Sequence, residues 1–111
     1  MRRFGQLIEL RPGAREAYVK YHAAVWPGVL QTIAACQIRN YSIFLREAAG
    51  TVTLFAYFEY LGSDFEADMR KMAADPITQE WWAIMEPLQL PLPDRRPGEW
   101  WTRMEEVFHT E

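Results

Sequence analysis

Apolar and polar residues alternate loosely from Phe4 to Leu10 and then meet Arg11-Pro12-Gly13, a turn signal, so the pattern predicts a first strand. From Ala14 to about Ala24 the residues are mostly good helix formers. Pro27 lacks an amide hydrogen and disfavours a helical conformation at Trp26, which breaks the helix there, and proline suits the first position of a second helical segment running to about Cys36. Period two returns in Ile38 to Arg46 and in Thr51 to Tyr60, joined by Glu47-Ala48-Ala49-Gly50, a glycine-containing loop of hairpin length. In the first of these strands Tyr41, Ile43 and Leu45 share one face, and Asn40, Ser42 and Phe44 the other. Ser63-Asp64-Phe65-Glu66 matches a capping box and predicts a helix to about Ala74. Asp75-Pro76 reads as an N-cap followed by proline at N1, opening a helix that carries Trp81, Trp82 and Met85 before Pro87. Pro87 to Gly98 holds four of the seven prolines and is expected to be an extended loop. Thr102 to His109 alternates as a last strand, with Met104, Glu106 and Phe108 opposite Arg103, Glu105, Val107 and His109.

The resulting order is β-α-β-β-α-β with both helices broken in two, which is the ferredoxin-like motif, an α+β arrangement. It predicts a four-stranded antiparallel sheet with its helices on one face, in one domain over residues 1–111. The other sheet face needs cover, and pairing two such sheets in a homodimer would supply it.

Composition narrows the possibilities. Half of the residues are hydrophobic and 14% are aromatic, so the chain is globular rather than disordered. A formal net charge of -3, with basic residues dispersed apart from short pairs such as Arg2-Arg3 and Arg95-Arg96, provides no basic field for nucleic acid. No apolar run approaches a membrane span, and the N-terminal residues run into the first alternation without a signal-peptide core. Cys36 is the single cysteine, which leaves no intramolecular disulfide framework and no cysteine-based zinc cluster. A reducing cytoplasm fits best.

The candidate chemistry centres on Tyr18 and His22. Four residues apart on the first helix, they project from one face and reach a common ligand. His22 is one of two histidines, and imidazole both donates and accepts protons near neutral pH; a surface or hydrogen-bonded structural histidine is the alternative. Pro27 ends the first helix soon after His22, leaving the imidazole near a helix C-terminus, where the dipole favours the protonated form. Trp81 and Trp82 point about 100° apart on their helix, so both cannot lie at the centre of one core stripe, and one should face a cleft or an interface. A tryptophan in a cleft stacks on the apolar face of a sugar while its indole N–H donates to a hydroxyl. Trp100-Trp101 either closes over the same cleft or packs at a dimer edge; packing is the favoured reading. His109 is either a second polar group in the pocket or a fraying terminal residue. No HExxH, P-loop, GxGxxG or GxSxG is present, so no metal and no cofactor is expected.

Taken together, Tyr18-x-x-x-His22-x-x-x-Trp26-Pro27, Asn40-Tyr41-Ser42-Ile43, Trp81-Trp82-x-x-Met85 and Glu106-Val107-Phe108-His109 resemble the L-rhamnose mutarotases in order and nearly in spacing, across essentially the whole chain. The resemblance implies a ferredoxin-like dimeric α/β barrel. It also implies interconversion of the α and β anomers of a 6-deoxy sugar pyranose such as L-rhamnose, without cofactor or metal. By the same resemblance His22 matches the proton donor, and Tyr18, Tyr41, Trp81 and Trp82 match substrate-binding positions. The Pro87 to Trp101 region departs from the family pattern. Two other readings share these features: a cofactor-independent monooxygenase of the same dimeric fold and a non-catalytic sugar-binding module, since fold alone does not separate them.

Overall fold

The central hairpin is set by two left-handed residues. Ala49 (φ 53°) and Gly50 (φ 80°) both lie at positive φ, so β2 (Ile38–Ala48) and β3 (Thr51–Tyr60) close through a two-residue turn of the primed type whose twist matches that of the strands. The four-residue loop expected at Glu47 to Gly50 is shorter because β2 continues to Ala48, paired with Thr51. The computed structural model describes residues 1–111. β1 (Arg2–Leu10) is antiparallel to β3 along its whole length, from Arg2 opposite Tyr60 to Leu10 opposite Val52.

Four helices follow the expected breaks: α1 (Arg15–His22), α2 (Pro27–Ala35), α3 (Phe65–Ala74) and α4 (Pro76–Met85). Trp26 is extended and Pro27 occupies the first turn of α2. At α4 the Asp75 carboxylate accepts from the Thr78 backbone N–H at 2.8 Å, the cap expected there. At α3 the cap is Asp64, which accepts from Ala67 N–H at 3.1 Å, rather than Ser63. The helix starts one residue later than the capping box required, because Ser63 still lies in the bend with Gly62 and Asp64, an equally good N-cap, follows it.

The sheet order is β2-β3-β1, with the outer edge of β1 occupied by two separate short strands. After a 3₁₀ turn at Glu86–Leu88, β4 (Gln89–Leu90) pairs with Glu9 and Leu10; β5 (Thr102–Met104) pairs with Gly5, Gln6 and Leu7. The proline-rich region is therefore not wholly a loop: Gln89 and Leu90, which precede Pro91, have free amides and join the ladder, leaving residues 91–101 as the connection. The last strand stops at Met104 instead of His109. Beyond it the register survives only in side chains, with the Arg3 guanidinium on Glu106 at 3.0 Å, while Val107 and Phe108 are 85% and 78% exposed.

All four helices cover one face of the sheet. β3 alternates with Val52, Leu54, Ala56, Phe58 and Tyr60 buried against them. Two apolar clusters result: one around Ile8, Leu10, Leu54, Val29, Trp81 and Met85, the other around Phe4, Cys36, Ile38, Phe58, Tyr60 and Met72. A register shift between Arg39 and Ser42, with Asn40 at φ 52°, lets Ile38 and then Tyr41, Ile43 and Leu45 all face the helices. Between the two clusters lies Gln6, a polar residue on the inward stripe of β1, directly opposite Ala56.

Candidate active site

The break between α1 and α2 and the close approach of α2 to α4 bring the aromatic residues together. A Cβ on Gly28 would lie 2.7 Å from Ile77 Cδ1, so only glycine allows this crossing without displacing the isoleucine. There the Trp26 and Trp81 rings meet edge to face at 5.1 Å. Trp81, 5% exposed, also presents to Tyr21 at 6.0 Å and to His22 at 5.4 Å. Trp82 lies round the helix, 38% exposed and outside these ring contacts.

Tyr18 and His22 do share a face of α1. Their rings stack at 4.1 Å with an interplanar angle of 25°, and His22 Nδ1 lies 2.9 Å from the Tyr18 carbonyl. A carbonyl only accepts, so Nδ1 carries the proton in this contact and Nε2 is the free nitrogen. Burial lowers the His22 pKa below its ordinary value; the bond to the Tyr18 carbonyl opposes this without reversing it. The dipole of α1 was expected to favour the imidazolium, but an eight-residue helix ending at His22 offsets desolvation less than aromatic burial imposes it. The resting imidazole is neutral at pH 7.

Two phenols meet beside it. Tyr41 stacks on Phe58 at 5.5 Å and, although 38% of the residue is exposed, its hydroxyl end is desolvated, which pushes its pKa up to about 12 against a hydrogen bond from Gln6. Tyr18, 3% exposed, is raised further by burial and then by the neighbouring Tyr41 phenol, with Gln89 hydrogen-bonding its side chain in opposition. Both phenols keep their protons at neutral pH and serve as hydrogen-bonding groups. Gln89 is 5% exposed, and its Oε1 accepts from Trp100 Nε1 at 2.8 Å.

The structure thus brings Tyr18, His22, Tyr41 and Trp81 together and adds Gln6 and Gln89, which sequence reasoning left out, and Trp100, for which packing was the favoured reading. A readable signal existed for Gln6, the single polar residue in the inward series Phe4, Gln6, Ile8, Leu10. Trp100 joins the polar cluster, whereas Trp101 packs against the first apolar cluster of its own chain rather than at a dimer edge. His109 is exposed and close enough to influence Glu59 on the uncovered sheet face, away from this cluster. No group of three or more His, Cys, Asp or Glu side chains is gathered anywhere to hold a metal ion, and no helix is long and apolar enough to cross a membrane.

The family model for L-rhamnose mutarotase matches residues 3–110. The chain belongs to the L-rhamnose mutarotase family. Among similar family members, an L-rhamnose mutarotase of Lactiplantibacillus plantarum is 37% identical over 109 residues, covering 98% of both chains. One from Listeria monocytogenes serotype 4b is 39% identical over 97 residues, covering 87% of this chain and 88% of the relative. In three dimensions the chain resembles the crystal structure of an L-rhamnose mutarotase from Formosa agariphila, with a TM-score of 0.76 at 29% identity and full coverage of both chains.

Proposed function

We propose that this L-rhamnose mutarotase family member interconverts the α and β anomers of L-rhamnose at the Tyr18-His22-Tyr41 cluster, with His22 moving the proton. The observation that carries the assignment of His22 is its free Nε2, turned away from the Tyr18 carbonyl that holds Nδ1, in an imidazole stacked on a phenol. Ring opening removes a proton from the anomeric hydroxyl and places one on the ring oxygen as the C1–O5 bond breaks; rotation about C1–C2 and reclosure reverse both transfers. Because His22 rests neutral, Nε2 first accepts the anomeric proton, and the imidazolium so formed is the proton donor to the ring oxygen. Tyr18 and Tyr41, with pKa values raised above the ordinary phenol value, orient hydroxyls of the sugar rather than ionise. Trp81 backs the imidazole, and the exposed ring of Trp82 is the surface offered to the C6 methyl group. No covalent intermediate is needed in this sequence.

The test is saturation transfer between the anomeric proton signals of L-rhamnose with and without the protein. Acceleration is expected, with an acidic limb whose midpoint lies below 6.5, because protonated His22 has lost its acceptor and burial depresses its pKa. An acidic limb centred above 6.5 would contradict a neutral resting His22, and rhamnose binding without exchange would mean a sugar-binding module instead.

The homodimer belongs to the same proposal. The uncovered sheet face carries Phe44, stacked on Phe55 at 6.2 Å, and Phe44 and Met104 are 61% and 44% exposed. An apolar sheet face of this kind suits a second copy of the chain. Phe44→Lys should shift sedimentation from about twice 13.1 kDa toward the 13.1 kDa chain; a wild-type protein already monomeric at micromolar concentration would remove the dimer. A cytoplasmic setting, drawn from the lone and buried Cys36, completes the reading.

A further inference from the structure

We propose that Gln6 and Arg103, side by side on the helix-covered face of the sheet, form a hydroxyl-binding wall of the sugar site that selects the configuration at C4; the inference rests on the mutarotase reading above. The strand register lays out one row across the sheet. Ile43 pairs with Ala56, Ala56 with Gln6 and Gln6 with Arg103, and residues directly opposite in a ladder share a face. Ala56 is fully buried beneath the helices, so Gln6 and Arg103 point to the helix side as well. Phe4 and Ile8, which flank Gln6 on the same face of β1, are both buried but belong to different apolar clusters. The row is therefore the seam between the clusters, running outward from buried Ala56 through half-buried Gln6 to exposed Arg103. Tyr41, two residues before Ile43, stacks on Phe58, two residues after Ala56, and so borders the inner end of the same seam. A leucine at position 6 would join the two clusters; an amide there calls for a polar partner.

The two side chains offer complementary bonds. A guanidinium only donates, while an amide donates and accepts, so together they hold a hydroxyl as both acceptor and donor. Arg103 is free for this: it takes part in neither ion pair of the chain, Arg3 with Glu106 and Arg15 with Glu47. Its guanidinium rests 4.9 Å from the centre of the Phe4 ring and 5.5 Å from that of Phe65, beside Gln6 on the inward stripe. His22 approaches the sugar from the helix layer and acts at C1 and the ring oxygen, whereas Gln6 and Arg103 rise from the sheet. A pyranose gripped from both layers turns C4, the atom across the ring from C1, toward the sheet. The C4 epimer directs that hydroxyl elsewhere and leaves the amide unpaired, which disfavours it.

Three variants separate this role from packing and charge. Gln6→Leu continues the apolar stripe of β1 and removes the amide, so the fold should persist; Arg103→Gln removes the guanidinium. Arg2→Gln is the control, because the Arg2 guanidinium lies against the same two rings, at 4.8 Å and 5.2 Å, from a position opposite Tyr60 rather than in the row. KM and kcat for anomer exchange are measured for L-rhamnose, its C4 epimer 6-deoxy-L-talose and its C2 epimer 6-deoxy-L-glucose, with the melting temperature followed by circular dichroism. Gln6→Leu is expected to raise KM for rhamnose roughly 5- to 10-fold and to leave the pH profile of kcat in place. It should narrow the rhamnose-to-6-deoxy-L-talose ratio of kcat/KM and keep the ratio to 6-deoxy-L-glucose. Arg103→Gln should follow it in direction, whereas Arg2→Gln should change KM by less than about 2-fold at a similar shift in melting temperature. Unchanged KM and unchanged C4 preference in folded Gln6→Leu would overturn the proposal while leaving mutarotase activity standing, as would an effect of Arg2→Gln on KM equal to that of Arg103→Gln. A wild-type protein that fails to accelerate exchange would overturn both together.

Discussion

Replacing His22 by alanine should slow catalysed anomer exchange of L-rhamnose by about 10²- to 10⁴-fold, the loss typical of removing one general acid–base group. The whole proposed proton path runs through Nε2, and no other titratable side chain in the cluster takes its place: Tyr18 and Tyr41 are both held protonated. The fall should appear in kcat, since the sugar hydroxyls are held by the phenols and the tryptophans. The fold should survive, because β1, β3 and both apolar clusters are untouched, and stability should drop by about 1–2 kcal/mol for the lost ring contacts with Tyr18 and Trp81. Added imidazole should restore part of the rate. Saturation-transfer exchange at the wild-type rate in a folded His22→Ala protein would exclude the histidine from the chemistry.

Trp81→Ala is the second large effect, and it falls on stability. Trp81 is 5% exposed at the meeting point of α1, α2 and α4, with ring edges of Tyr21, His22 and Trp26 around it. Truncating a buried tryptophan costs about 3–5 kcal/mol, a large share of the stability of a domain this size. The melting temperature should fall by more than about 10 °C, with activity lost alongside as the support behind His22 disappears. Trp82→Ala is the control on the same helix: at 38% exposure it should change stability by about 0.5 kcal/mol or less, so any loss of rhamnose affinity there reports contact with the sugar. An unchanged melting temperature for Trp81→Ala would mean that the aromatic cluster does not hold the helices together.

Legibility in the sequence followed the range of the interactions. The helix starts at Pro27 and Pro76, the Asp75 cap and the shared face of Tyr18 and His22 are decided by residues within one or two turns, and period and proline placement reveal them. The inward side of Tyr41 was also readable, because the bulge at Asn40 lies before it and leaves the parity of Tyr41, Ile43 and Leu45 intact. The choice of Asp64 over Ser63 turned on one residue of bend between two good caps, which local pattern does not discriminate. The truncation of the last strand at Met104 and the short pairing of Gln89 and Leu90 depend on how much of β1's edge each segment reaches, a long-range matter. The site divided in the same way. The i, i+4 pair was visible, whereas Gln89 and Trp100 acquire meaning only when the strand brings them together, and the lowered His22 pKa only when the Tyr18 and Trp81 rings close over it.

The division of the sheet's outer edge into two short strands bears on how this fold can diversify. Leu90 and Thr102 are each anchored to β1, and the intervening residues close their own turns, Arg95 N–H onto Leu92 and Glu99 N–H onto Arg96. Lengthening or shortening such a segment breaks no ladder bond, and doubling its length costs only about 0.6 kcal/mol in closure entropy. Residues 91–99, which stop short of the anchored Trp100 and Trp101, thus form a replaceable cassette beside an unchanging imidazole. New sugar preferences can be tried there by insertion or deletion, with the proton-transfer apparatus inherited whole.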